Sequence, residues 1–366
     1  MNILEIEALN FRNYKDLKLN LTNNKIHILK SPNGMGKTNI IELIFFLSYY
    51  RSFRNVKQRE LIKINSDKCF IKAIYKRKNI TNEKIIKIEQ NKKEIINNNK
   101  KIHKISESFA DIISILFCNE DIDIITGSPT IRRKFFDMFI SILDKHYLLF
   151  LKDYYSLLKQ KNFILKNKKN FDLLDIYDKQ LSEIILKIKK ERLNLIFYIN
   201  QSFSKKYEDI GEFNQNVSIL YNSNFKEMQD VNSIYNFLKK NRDKDIKFGY
   251  SLYGIHKDNY IFLMNNLPFE KYASLGQTRL ASLVLKLIQA EYIKKKSNDS
   301  PIILIDDVIL ELDNKRQKNF IKEILDYEQI FITISDDKYL LLFKDINEPK
   351  DIIEIDYGRI QKIFSY

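Results

Sequence analysis

Ser31-Pro32-Asn33-Gly34-Met35-Gly36-Lys37-Thr38 has the residue types and spacing of a phosphate-binding loop. In such a loop, backbone N–H groups of a glycine-containing turn and the positive end of the next helix cradle phosphate oxygens. A lysine at the seventh position reaches the β and γ oxygens, and the hydroxyl after it ligates Mg²⁺. Lys37 and Thr38 stand at those two places, and Asn39 continues the cradle into the helix. The pattern favours glycine where this chain has Ser31, while residues 33–38 keep the rest of it. The context fits too: a short apolar strand (Ile26, Ile28, Leu29) precedes the loop, and an apolar helix over about residues 39–50 follows it.

A loop of this kind needs a carboxylate from a neighbouring strand to hold the shell of the metal. Pro301-Ile302-Ile303-Leu304-Ile305-Asp306-Asp307 supplies it, as an apolar run buried on both faces that ends in two acids. Asp306 is expected to share Mg²⁺ with Thr38, and Asp307 to orient or activate the attacking water. Lys37, Asp306 and Asp307 are therefore the candidate catalytic residues. A third segment, Ser274-Leu275-Gly276-Gln277, precedes a helical stretch over about residues 278–295. It offers a helix N-terminus and a serine hydroxyl to a γ-phosphate. This order resembles the signature loop of ATP-binding-cassette ATPases, which faces the ATP of a second subunit, so Ser274, Gly276 and Gln277 join the nucleotide-binding set. Glu311-Leu312-Asp313 resembles the loop that crosses the same interface.

The elements that must position these groups fall into two kinds. Residues 3–9 and 17–21 read as strands, residues 69–96 as a meander closed by an Asn97-Asn98-Asn99 turn, and residues 112–117 as a buried strand. From Thr130 the period changes. Residues 132–139, 146–165, 175–199 and 232–240 carry apolar side chains at helical spacing without Gly or Pro. Strands return at 248–252, 260–264 and 331–334. The expectation is an α/β protein whose P-loop ATPase lobe, residues 1–128 and 246–366, has a mixed sheet and a β meander. An α-helical lobe, residues 129–245, is inserted in it, and no heptad repeat persists for a long coiled coil.

A chain of 366 residues has room for two lobes with their own cores. With 44% hydrophobic residues it reads as globular and not disordered. Its longest apolar runs, such as residues 40–47, are too short to span a bilayer, and no charged–apolar–small leader opens it, so a cytoplasmic protein with no membrane partner is expected. Cys69 and Cys118 provide no disulfide framework, and the four histidines form no paired zinc signature. The net charge is +15, in a composition rich in Lys, Ile and Asn of the kind AT-rich genomes produce, so the distribution says more than the total. Residues 51–104 hold 17 Lys and Arg against 5 Asp and Glu, an excess of 12. A basic zone so concentrated is the footprint of a phosphate-backbone binder.

Further blocks carry a family resemblance. They are Leu9-Asn10-Phe11-Arg12-Asn13-Tyr14, Glu42 with Tyr50-Arg51-Ser52-Phe53-Arg54, and Phe117-Cys118-Asn119-Glu120-Asp121 with Gly127-Ser128-Pro129 and Arg132-Arg133-Lys134-Phe135-Phe136-Asp137. Together with the P-loop, signature and acidic strand, in this order, they resemble the RecF family of bacterial recombination and gap-repair ATPases over essentially the full chain. Gly254-Ile255-His256-Lys257-Asp258-Asn259 departs from the family's GPHRDD, Asn119 from its proline and Ser31 from its glycine. The resemblance implies a cassette ATPase that binds ATP and Mg²⁺, forms a homodimer on ATP, and binds single- and double-stranded DNA. It implies work with RecR, and by pathway RecO, to direct RecA onto gaps at single-strand/double-strand junctions, with weak DNA-stimulated ATP hydrolysis. It places Arg12 near the nucleotide phosphates and makes Arg51, Arg54, Lys57 and Arg59 guides for DNA. The alternatives are an ATP-switched DNA scaffold without significant turnover and another SMC-like repair head, against which the short helical insert argues.

Overall fold

The structure, a computed structural model, describes residues 1–366 apart from Thr22, Asn55, Gln90, Asn91, Asp345 and the side chain of Leu310. The chain forms two compact units, Met1–Asp121 with Lys286–Tyr366, and Ile122–Leu285.

In the first unit, alternating apolar and polar residues make β1 (Asn2–Phe11) and β2 (Tyr14–Asn20), and a largely buried run, apolar except for His27 and Lys30, makes β3 (Ile26–Lys30). Helix α1 (Lys37–Tyr49) follows the loop after β3 and is buried along most of its length. The meander is β4 (Lys68–Arg77), β5 (Ile80–Glu89), β6 (Lys92–Asn97) and β7 (Lys100–Ile102). Its tight turns place Lys78-Asn79 and Asn98-Asn99 at positive φ, as two-residue hairpins require. These strands form an antiparallel sheet in the order β2-β1-β4-β5-β6-β7. Strand β8 (Ser114–Phe117) leads out of the unit.

The second unit begins with helices α2 (Pro129–Leu143), α3 (Lys145–Asn167) and α4 (Leu174–Gly211). It continues through β9 (Val217–Asn222), α5 (Val231–Lys240), α6 (Arg242–Phe248), β10 (Asn259–Met264) and β11 (Leu267–Pro268). Helix α7 (Leu275–Ser297) carries the chain back to the first unit. There β12 (Ile302–Ile305), α8 (Asn314–Ile324), β13 (Ile330–Ile334), β14 (Lys350–Asp356) and β15 (Arg359–Ser365) complete the fold. The second large sheet has the order β15-β14-β3-β13-β12-β8. All its pairs are parallel except β14–β15. Its central strands are apolar on both faces, as buried parallel strands must be.

Two expectations change here. The strand read at 248–252 is the end of α6 and the turn after it. Gly249, at φ 76, caps the helix, and the N–H groups of Ser251 and Leu252 donate to the side chains of Asn162 and Asp245 instead of to a ladder. The division between units lies at 121/122 and 285/286, where the sequence suggests 128/129 and 245/246. The reason is β9, which pairs with β10 over its full length and receives Asn200 of α4 at Ile219, so this sheet belongs with the helices.

The segment 254–259, to which the sequence assigns no chemistry, is the anchor of the second unit. Arg192, wholly buried, donates to Asp258 at 2.6 Å, to the Ile255 carbonyl at 3.0 Å and to both oxygens of Asp137. Tyr221 also donates to Asp258. Arg133 donates to the Asp258 carbonyl and Arg132 to Asn259. His256 contacts Tyr154 at 2.6 Å, and burial pushes its pKa down to about 4, so its ring is neutral at physiological pH. Removing one partner of a buried ionic set strands the other charges. Arg192→Leu is therefore expected to destabilise the chain by about 3–5 kcal/mol in urea unfolding, and a loss under about 1 kcal/mol would contradict the anchoring role.

Candidate functional site

Strand register brings the phosphate loop and the two acids together. In the parallel sheet Ile305 of β12 lies opposite Ile332 of β13, and Thr333 opposite Leu29 of β3. Asp306 and the loop starting at Ser31 therefore leave two strands that flank β13 at the same edge, the carboxyl edge where open α/β sheets bind ligands. There Thr38 Oγ1 donates to Asp306 Oδ1 at 2.9 Å, joining residues 268 positions apart.

The loop itself is tightly held. Gly34 and Gly36 have φ of 83° and 123°, conformations side chains rarely adopt. A Cβ on Gly36 would meet Asn13 Nδ2 at 2.8 Å and the Tyr14 hydroxyl at 2.9 Å. Asn13 donates to the Met35 carbonyl at 3.0 Å, Tyr14 to the Gly36 carbonyl at 3.1 Å, and Asn39 to Asn13 Oδ1 at 2.7 Å. Ser31 is not among the positive-φ positions, and its N–H donates to the Ile334 carbonyl, so the backbone there has no need of glycine. Lys37, only 4% exposed, folds its ammonium onto the carbonyls of Ser31 at 2.5 Å and Pro32 at 3.1 Å. Burial lowers its pKa, and the charges of Asp307 and Asp306 oppose that shift.

Thr333 was not singled out from the sequence, although a hydroxyl inside the apolar run Ile330–Ile334 is a readable signal. It accepts the Asp307 N–H at 2.9 Å, and its hydroxyl lies 3.2 Å from Asp306 Oδ1 and 3.0 Å from Asp307 Oδ1. It thus ties both acids to one strand. Burial pushes the Asp306 carboxyl up to about 6, against the pull of the Thr38 hydroxyl and with the charge of Asp307 adding to the rise.

Glu42 is a second residue whose role emerges only in three dimensions. Its wholly buried carboxylate receives Arg12 through Nε at 2.8 Å and Nη2 at 2.6 Å, and also the Ser52 hydroxyl. Arg54 lies 3.7 Å from the same carboxylate and donates to Asn39 at 3.0 Å. Arg12 is thus engaged by Glu42, one helical turn beyond Thr38. Arg54 is turned to α1, Lys57 and Arg59 are exposed, and burial lowers the pKa of Arg51.

The signature segment lies in the second unit and the P-loop and acids in the first. Ser274 and Gln277 form a capping box at the start of α7. The Ser274 N–H donates to Gln277 Oε1 at 2.8 Å, and the Gln277 N–H donates to Ser274 Oγ at 3.3 Å. Ser274, Leu275 and Gly276 are exposed. Asp313 caps α8 by accepting the Arg316 N–H at 3.0 Å.

Residues 2–347 match the family model described as RecF/RecN/SMC N terminal domain. A Clostridium acetobutylicum relative named DNA replication and repair protein RecF is 35% identical over 359 residues, covering 96% of this chain and 97% of its own. The chain belongs to the RecF family. A Clostridium novyi protein of the same name is 34% identical over 90% of this chain and 92% of its own. A solved structure of the RecF family, the recombination mediator protein RecF-ATP in the RecFOR pathway, superposes with a TM-score of 0.89 at 31% identity, covering 99% of each chain. An Smc head bound to the C-winged helix domain of ScpA shares the fold, with a TM-score of 0.60 at 13% identity over 100% of this chain and 98% of that one. The RecF-like blocks at 9–14, at Glu42 and at 50–54 are the parts that meet around α1.

An acid held above its unfolded value of about 3.9 binds protons on folding. Its ionisation therefore subtracts stability, increasingly as pH rises from about 4 to about 6 and fully above that. Asp306→Asn keeps an acceptor for Thr38 and removes the charge. In metal-free buffer it is expected to stabilise the chain by about 1–3 kcal/mol near pH ~7.5, with the gain fading below pH ~4. Thermal unfolding across this range reads the effect, and a gain independent of pH would refute the burial of that charge.

Proposed function

We propose that the chain is an ATP-controlled DNA-binding protein of recombinational gap repair. In this reading two copies close on ATP as a homodimer and act with RecR and RecO to promote RecA loading at single-strand/double-strand junctions. The observation that carries the nucleotide half is the Thr38–Asp306 hydrogen bond, which joins the two motifs an ATPase must bring together. Family membership and the names of the relatives, DNA replication and repair protein RecF, support the DNA half.

The donor set fits Mg²⁺. A hydroxyl and a carboxylate, both hard oxygens, meet at 2.9 Å, and Mg²⁺ takes few protein ligands and keeps waters and phosphate oxygens. With one hydroxyl and one carboxylate supplied by the protein, the ion would take its remaining ligands from phosphate oxygens and water. When bound it neutralises charge on the phosphate oxygens.

Lys37 would exchange the Ser31 and Pro32 carbonyls for phosphate oxygens, which are stronger acceptors for an ammonium. The N–H groups of residues 34–39 would line the α- and β-phosphates. Ser274 and Gly276 of a second copy, with Gln277 fixing the serine, would reach the γ-phosphate. Asp307 would hold the attacking water in line. The water oxygen would bond to the γ-phosphorus as the bond to the bridging oxygen breaks, with the water's proton passing through Asp307 to the departing phosphate, giving ADP and inorganic phosphate. Loss of the shared phosphate would open the dimer and release DNA.

The basic stretch 51–104 separates into two populations. Lys84 is buried, Lys93 donates to the Tyr50 carbonyl, Lys63 to the Asn13 carbonyl, and Arg77 pairs with Asp299 at 3.0 Å, so these hold the fold. Lys68, Lys87 and Lys92 are exposed and line a groove of about 710 Å³ on the meander beside Leu9 and Phe70. Cations over a sheet face suit phosphate contacts without base preference.

Two experiments test the proposal. Ser274→Arg should bind ATP and remain monomeric by light scattering, with Lys37→Ala losing ATP as the control; an ATP-dependent dimer of Ser274→Arg would end the sandwich reading. Changing Lys68, Lys87 and Lys92 together to Glu should weaken duplex binding at least about tenfold at ~0.1 M salt and lower the salt slope by about 2–3. An unchanged slope would move the DNA surface elsewhere.

A further inference from the structure

Strand β14 runs parallel to β3, from Lys350 opposite Ile26 to Glu354 opposite Lys30. Because β3 ends in the phosphate loop, β14 also delivers its C-terminal end to the ligand edge of the sheet. The chain reverses there through Tyr357-Gly358, between the paired residues Asp356 and Arg359. Both turn residues are left-handed, with φ of 43° and 72°.

This turn is keyed into the nucleotide site. The Gly358 N–H donates to the Met35 carbonyl at 3.0 Å, and Met35 accepts from Asn13 as well. A Cβ on Gly358 would lie 2.8 Å from the Asn13 carbonyl oxygen, so only glycine permits the approach. Asn13 in turn holds Asn39 of α1. The turn therefore cannot shift without moving the phosphate loop.

Tyr357 is the unexpected residue in this arrangement. It is 77% exposed, so its ring buries little, yet it occupies a backbone conformation that Asn or Gly adopts at lower cost. Exposed aromatic rings beside a nucleotide site offer a flat apolar face on which a base stacks. We infer that Tyr357 is a base-stacking residue of the nucleotide site, packing against the purine of the bound triphosphate. This rests on the nucleotide reading above and extends it to the end of the ligand that the P-loop does not touch.

The test uses the full chain, which contains no tryptophan. Calorimetric titrations compare Mg²⁺-ATP with tripolyphosphate, which has the phosphates but no base. Tyr357→Asn removes the ring and keeps the turn, because Asn-Gly is the favoured sequence for it. It should bind ATP about tenfold more weakly and tripolyphosphate unchanged, while Tyr357→Phe stays within about twofold of the unaltered chain for ATP. Tyr357→Trp supplies a single indole whose emission should be quenched by ATP and not by tripolyphosphate. Tyr357→Asn binding ATP as the unaltered chain does, or an indole unmoved by ATP, would overturn the assignment. An unaltered chain that takes up neither ligand would overturn the nucleotide reading itself, an outcome distinct from the other two.

Discussion

The placement of β13 between β3 and β12 is the constraint on which this molecule depends. Only with that strand order does the end of the phosphate loop face the end of the acidic strand. Only then can Thr333 reach Asp306 and Asp307 while Thr38 reaches Asp306 from the other side. Burial holds these strands in the sheet, and the buried pair of His27 with Asp351 at 3.0 Å marks the register of β3 against β14. The side chains described for β3, β12 and β13 are mostly apolar on both faces, so alternation alone does not distinguish one register from its neighbour. The chemistry sits at the one edge where apolar strands end and polar residues begin.

What the sequence made legible follows from this. Motifs whose function is carried by consecutive residues, such as 31–38, 274–277 and 306–307, were readable because spacing along the chain is spacing in space. Residues that act through the fold were not. Thr333 and Glu42 carry no local signature, and Arg12 shows its partner only when β1, α1 and the segment after α1 converge. The β9 strand escaped notice because its short alternating run lies among helices, and β14 and β15 because Tyr-Gly is a poor turn signal. The segment 248–252 read as a strand because aromatic and apolar residues cluster there. Side-chain acceptors satisfy its backbone, which periodicity does not reveal.

Charge was the least legible property. Arg132 and Arg133 look like surface cations in a basic motif, yet both are tied to the 254–259 segment, and Arg192 is buried with Asp137 and Asp258. Lys84 and Lys93 are likewise taken into the structure of the meander. A count of lysines and arginines therefore overstates the surface offered to a polyanion, and what matters is which ammonium groups lack an internal acceptor.

The reciprocal pairing of Ser274 with Gln277 has a consequence for selectivity. The two bonds hold the Ser274 and Gln277 side chains in place before anything docks, so less conformational freedom remains for these two residues to lose on contact. The pairing also sets a threshold: a neutral acceptor that displaced either of these two bonds would only trade one hydrogen bond for another. A multiply charged anion would gain from the helix dipole in addition. A terminus that met phosphate as proposed would thus select its ligand by valence.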